Sequence, residues 1–377
     1  MSHRDSSCGR SESTNTASHR RRRTFLKTVG AGAAAGLAGC LGGGGGGTAT
    51  INIYTWEEYG GDLQKSIEDS LDVKLDITKG TSSNKMFTAF NSNPGQYDIV
   101  IPNNNYVPKM MEAGLAAPMP KETVSNFDSL YGKFNEFANS QFSDGSDIYG
   151  LPIRFGWYGV SYDSREIESP EKSYAELWNE DHEGNIIMYD NHFKSMSAAA
   201  LKLGYTEAFE GSKVSLSEKQ IEKVKQELIT QKSLLQGYIS ADPTYIKSLK
   251  QGNHTIGLSG RNEIVEMWAN GADWPELYVP KEGSLAWFEG GVVSKESENT
   301  EMAWKVLNEY ISPKIGAELA KIGYSPSCNP KTQENLNDEQ NEMYGSIKPE
   351  RLDGFIPFKA VEKEDAWLTA WEEVKSA

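Results

Sequence analysis

Cysteine is scarce: Cys8, Cys40 and Cys328 are the three in 377 residues, too few for a disulfide framework. Histidine is almost as rare. His3 and His19 lie near the start, and His182, His192 and His254 are too far apart to form a metal motif, so no metal or cofactor is expected. Basic residues fall short of acidic ones, 38 against 53. That balance excludes nucleic acid as a partner, because binding it requires basic patches. No hydrophobic run reaches the roughly 20 residues that cross a bilayer. The sequence has no G-x-S-x-G elbow, no P-loop and no H-E-x-x-H. The nearest string, Gly257-Leu258-Ser259-Gly260, lacks the spacing, so enzymatic activity is not expected. No repeat of period 20–50 is present.

The N-terminal segment is built for export. Arg20 to Arg23 form a basic block, Thr24-Phe25-Leu26-Lys27 follows, and a small-residue apolar run extends from Val29 to Ala38. Basic block, short apolar run and small-residue end are the parts of an export signal. Arg22-Arg23-Thr24-Phe25-Leu26-Lys27 resembles the twin-arginine signal, whose pathway moves folded proteins. Leu37-Ala38-Gly39-Cys40 looks like the lipobox of secreted lipoproteins, in which the cysteine becomes the lipidated first residue. Gly42 to Gly47 then form a flexible tether, whose match to G-x-G-x-x-G is a product of low complexity. The expectation is an export signal over 1–39, a lipidated Cys40 with a Gly-rich linker over 40–49, and a body at the outer face of the cell membrane. Removing residues 1–39 takes away seven basic and two acidic side chains, leaving a net charge of −20. Such a body is repelled by anionic lipid, so anchoring falls to the lipid.

Thr50-Ile51-Asn52-Ile53-Tyr54 and Val73–Thr78 alternate as strands, and Tyr97–Ile101 is an apolar run that suits a buried strand. Helical segments are expected from Asp62, from Ser83 to the Asn93-Pro94-Gly95 breaker, and over Tyr106–Ala113. This βαβαβ order implies an α/β domain with a mostly parallel sheet. Its ligands sit beyond the carboxyl ends of strands, where Trp56–Tyr59 and Asn103–Asn105 fall. Ser215 and Glu218 suggest a capping box for an amphipathic helix over 217–236. His254–Leu258 reads as a strand, Gly260-Arg261-Asn262 as a turn, and Trp287–Gly291 as the approach to another strand. Further helices are expected over 302–311, 315–322 and 365–375.

Five segments together resemble the spermidine/putrescine-binding proteins of ABC importers. They are Tyr54-Thr55-Trp56-Glu57-Glu58-Tyr59, Tyr97–Pro102 with Tyr106-Val107-Pro108-Lys109-Met110, Lys202-Leu203-Gly204-Tyr205, Pro280-Lys281-Glu282-Gly283 and Ile322-Gly323-Tyr324. The resemblance spans residues 50–377. It implies an α/β, two-domain type II periplasmic-binding-protein fold with a hinge and an interdomain ligand cleft. Residues 50–156 with 288–332 would form one domain, and 160–284 with 335–377 the other. Chain crossings would fall near Gly156–Val160, at Ser284–Phe288 and after Tyr324. The implied function is capture of a polyamine by a monomeric, lipid-anchored substrate-binding subunit that delivers it to membrane permease subunits.

A polyamine requires aromatic faces for its methylenes and carboxylates for its ammonium groups. The resemblance places Trp56, Tyr59, Trp287 and Tyr324 as pocket aromatics, Asn103 and Asn105 as polar contacts, and Glu289 as an acidic contact. Two positions depart from the family. Where it carries two carboxylates at the start of a helix, this chain has Asn191 and Lys194; where it carries Trp-Asn-Gly, this chain has Gly260-Arg261-Asn262. Lys194 and Arg261 leave open a zwitterionic or anionic solute in the same role. A surface sensor or an enzyme is the remote alternative.

Overall fold

The computed structural model describes residues 48–345, 352 and 354–377. The export signal, Cys40 and the glycine run lie outside the described residues. Alternation in β1 (Ala49–Thr55) places Ile51 and Ile53 wholly inside. α1 (Asp62–Leu71) leads to β2 (Val73–Lys79), parallel to β1. α2 (Ser83–Ser92), capped by the Ser82 hydroxyl, leads to β3 (Ile99–Val100), which joins β1 on its other side, again in parallel. β3 is shorter than the five-residue apolar run suggested, because Asp98 turns its carboxylate to the Asn52 amide and the chain leaves the sheet at Pro102. α3 (Val107–Glu112) and α4 (Gly132–Gln141) follow.

The long strand β4 (Leu151–Asp163) enters a second set of elements. These are β5 (Ile186–Tyr189), α5 (His192–Lys202), α6 (Glu218–Gln231), β6 (Leu235–Ile239), α7 (Asp242–Lys250), β7 (Ile256–Gly260), α8 (Arg261–Ala269) and β8 (Pro275–Tyr278). β9 (Ser284–Val293) returns antiparallel to β4. α9 (Thr300–Tyr310), α10 (Pro313–Gly323), the single turn α11 (Asp338–Gln340), β10 (Phe355–Pro357) and α12 (Glu364–Ser376) complete the chain. The main path of the sheet runs β2-β1-β3-β9-β4-β7-β5-β6, with β8 on β4 and β10 on β9.

Two hydrophobic cores flank this path. One gathers Ile51, Phe90, Ile101, Phe155 and Trp304; the other gathers Tyr158, Met196, Leu258 and Trp367. β4 belongs to the first core as far as Trp157 and to the second from Tyr158, while β9 alternates between them over Leu285–Phe288. After α10, Cys328, Leu352 and Phe355 pack on the first core, and Ile356 and Phe358 on the second.

Three local expectations are corrected. The capping box of α6 is Ser217 with Gln220, because the Ser215 hydroxyl is engaged by Glu362. Gly260-Arg261-Asn262 is not a turn: Gly260 ends β7 and caps α8, so strand passes directly into helix. Trp287–Gly291 lie inside β9, not before it.

Candidate functional site

A cleft of about 640 Å³ opens between the carboxyl ends of β1 and β3 on one wall and those of β5 and β6 on the other. From the first wall come Trp56, Glu58, Asn103, Asn105, Arg154 and Glu289; Trp287, which packs with the second core, lines the cleft beside them. From the second come Tyr158, Asn191, Lys194, Asp242 and Phe358. The strand-end rule thus locates both walls.

Arg154 governs the first wall. It stands on β4, 3% exposed, and its guanidinium grips Glu289 with Nε to Oε2 and Nη2 to Oε1, both at 2.8 Å. Nη2 also donates to Glu58 Oε1 at 2.9 Å, and Nη1 to the Gly323 carbonyl and the Ser325 hydroxyl. The Tyr59 hydroxyl donates to Glu289 Oε2. Burial pushes the Glu289 carboxyl up, against the pull of the Arg154 charge. Glu58 has the opposite outcome: burial raises it, but the charge and hydrogen bonds of Arg154, helped by its own backbone, hold it below the ordinary carboxylate value. The guanidinium also lies 5.5 Å from the Trp287 ring. Trp287 packs against Gly156, where a Cβ would come within 2.5 Å of Cζ2. Above this ion cluster, Trp56 Nε1 and Asn105 Oδ1 are buried without hydrogen-bond partners among the described residues. One is a donor and the other an acceptor, and buried groups of this kind are usually satisfied.

The second wall holds a tyrosine-centred network. The Tyr189 hydroxyl bridges Asp242 Oδ1 at 2.9 Å and Glu263 Oε1 at 2.5 Å. Glu263 is 1% exposed, and its Oε2 has no partner among the described residues. Burial, then the nearby Asp242 charge, lifts its carboxyl to about 8. Lys194 Nζ lies 3.8 Å from the Tyr189 ring centroid and 4.6 Å from that of Tyr158. Burial lowers this ammonium's affinity for its proton, while Asp242 and Glu263 counteract the loss. At the rim, Lys109 of α3 pairs with Glu364 of α12 at 2.8 Å.

The structure brings together Trp56, Asn103, Asn105, Asn191, Lys194, Trp287 and Glu289, all on the cleft. It places three expected residues elsewhere. Tyr59 is fully buried beneath the lining, edge-on to Tyr310. Arg261 turns from the cleft, donates to the Met343 carbonyl at 2.7 Å and stacks over Trp157. Tyr324 adopts a left-handed conformation that closes α10 and faces Tyr344. Asn191 is on the cleft, but its Oδ1 caps α5 through the Lys194 amide. Arg154, Tyr158, Asp242 and Phe358 line the cleft and were not expected. Their signals were a lone charge inside an apolar strand for Arg154 and a strand-to-helix junction for Asp242.

The described residues contain no helix long and apolar enough to cross a membrane. Residues 64–344 match the family model described as bacterial extracellular solute-binding protein. A spermidine/putrescine-binding periplasmic protein of Salmonella typhimurium is 26% identical over 296 residues, covering 77% of this chain and 80% of that protein. A putrescine-binding periplasmic protein of Pseudomonas aeruginosa is 20% identical, covering 94% of this chain and 98% of its own. Among solved structures, one described as a putative spermidine/putrescine ABC transporter from Listeria monocytogenes superposes with a TM-score of 0.72. It is 20% identical and covers 87% of this chain and 99% of that chain. The architecture is therefore the two-domain α/β fold of periplasmic binding proteins.

Proposed function

The chain belongs to the bacterial extracellular solute-binding proteins, and from that premise we propose that it is the substrate-binding subunit of an ABC importer for amines of the polyamine class. The observation that carries this reading is the pairing, on both walls of one cleft, of carboxylates with aromatic faces. Glu58 and Glu289 lie beside Trp56 and Trp287; Asp242 lines the cleft with Tyr158, and behind them the buried Tyr189 hydroxyl joins Asp242 to Glu263. An alkylammonium chain fits such a lining, with its methylenes on the rings and its charge near the carboxylates. The relatives that bear spermidine and putrescine in their names support the same class. In this proposal the two cores are lobes that close about the segments shared by β4 and β9, and the permease recognises the closed form. The long-range field of the acidic body draws in cations. Export by the twin-arginine route, lipid attachment at Cys40 and monomeric action complete the proposal, supported by the N-terminal sequence.

A thermal-shift panel tests the ligand class. Putrescine, spermidine and singly charged amines should raise the melting temperature by mass action, and simple organic acids should not. Shifts with acids alone would overturn the amine reading.

A further inference from the structure

The second wall already contains an ammonium group. Lys194 Nζ is held over two tyrosine faces, in the field of Asp242 and Glu263. Aromatic faces plus carboxylates are what a ligand's cationic end would seek there. The Lys194 side-chain nitrogen forms no hydrogen bond or ion pair among the described residues, so its N–H groups remain free to donate into the cleft. We propose that Lys194 acts as a tethered ammonium that fills the second-wall cation subsite. The cleft then takes a polyamine-derived chain with one ammonium end, at the first wall, and a carbonyl or carboxylate oxygen at the other. This rests on the amine reading above and narrows it.

The charges of the two walls agree. On the first, two carboxylates, Glu58 and Glu289, face one guanidinium, Arg154, leaving one negative charge for one ammonium. On the second, Asp242 is the carboxylate that lines the cleft with Lys194, while burial pushes the enclosed Glu263 carboxyl up, towards its neutral form. Asp242 and Lys194 then balance, leaving nothing for a second ligand cation. At the rim, Lys109 and Glu364 also cancel. A diamine's far end would meet a like charge in a partly desolvated site, where repulsion is poorly screened. An oxygen at that end accepts hydrogen bonds from Lys194 Nζ.

The test is titration calorimetry of the mature chain with putrescine, N-acetylputrescine and 4-aminobutanoate. The probes have similar chains that end in an ammonium, an amide oxygen and a carboxylate. Wild type should bind an oxygen-ended probe at least tenfold more tightly than putrescine. The amide and carboxylate arms then distinguish a neutral from an anionic end. Lys194→Met should reverse the order, with putrescine gaining tenfold or more and the preferred oxygen-ended probe losing as much. Lys194→Arg should preserve the wild-type order. If Lys194→Met melts early, Lys194→Gln repeats the comparison with a polar, uncharged group. Tight putrescine binding by wild type, unchanged in Lys194→Met, would overturn the tethered-ammonium proposal and leave the amine reading intact. No binding of any probe to any variant would defeat the amine reading, and the proposal with it.

Discussion

Replacing Arg154 by methionine removes the charge that organises the first wall. Its guanidinium makes five hydrogen bonds: two to Glu289, and one each to Glu58, the Gly323 carbonyl and the Ser325 hydroxyl. Methionine retains most of the stem's packing, so the loss is chiefly electrostatic. Glu289, 2% exposed, is left as a buried carboxylate without a cation. Breaking a buried pair on one side costs about 3–5 kcal/mol. That is a large part of the roughly 5–15 kcal/mol that holds a domain folded. Removing both charges, as Arg154→Met with Glu289→Gln, should recover much of the loss, because the substituted amide's oxygen can still accept from the Tyr59 hydroxyl. A urea-denaturation cycle over the four proteins should give a coupling of about 2 kcal/mol or more, as expected for contacting groups. A single-mutant cost below about 1 kcal/mol, with additive effects, would refute the claim that Arg154 and Glu289 form a buried ion cluster.

Three further outcomes follow. Glu263 has its folded value raised from 4.5 to about 8, so its contribution is full below pH 4.5 and is lost as pH rises towards 8; Glu263→Gln should flatten that decline in melting curves, and an unchanged profile would remove Glu263 as its source. Gly156→Ala should weaken amine binding about tenfold or more by forcing the Trp287 ring aside, since the new Cβ would come within 2.5 Å of Cζ2; its stability cost should be about 1–3 kcal/mol, and unchanged affinity would count against this indole as part of the site. Cys40→Ser should release a folded body from washed membranes, whereas retention would contradict the lipid anchor.

Much of the first wall was legible because it obeys local rules. Trp56, Asn103 and Asn105 follow strands that show alternating or apolar patterns, and strand-end loops are where α/β folds place ligands. Arg154 was missed because the strand Leu151–Asp163 was not among the expected elements and its partner Glu289 lies 135 positions away. The second wall was obscured for another reason. The helical periodicity ending α6 runs into Leu235, the first residue of β6, so the strand and the Asp242 junction behind it were hidden. Arg261 was misplaced because sequence spacing gives a helix start but not the direction of a long side chain, here set by the Met343 carbonyl. Asn191 illustrates a competing local demand, since the side chain expected to meet ligand is engaged in capping α5.

The most direct test of the central claim is calorimetric titration of putrescine, spermidine and N-acetylputrescine into the mature chain, wild type beside Trp287→Ala. One site per chain is expected for at least one of these amines, with a loss of about 2 kcal/mol, roughly 30-fold, on removing the indole. No amine binding to the folded wild type, or equal affinity in a folded Trp287→Ala protein, would contradict it.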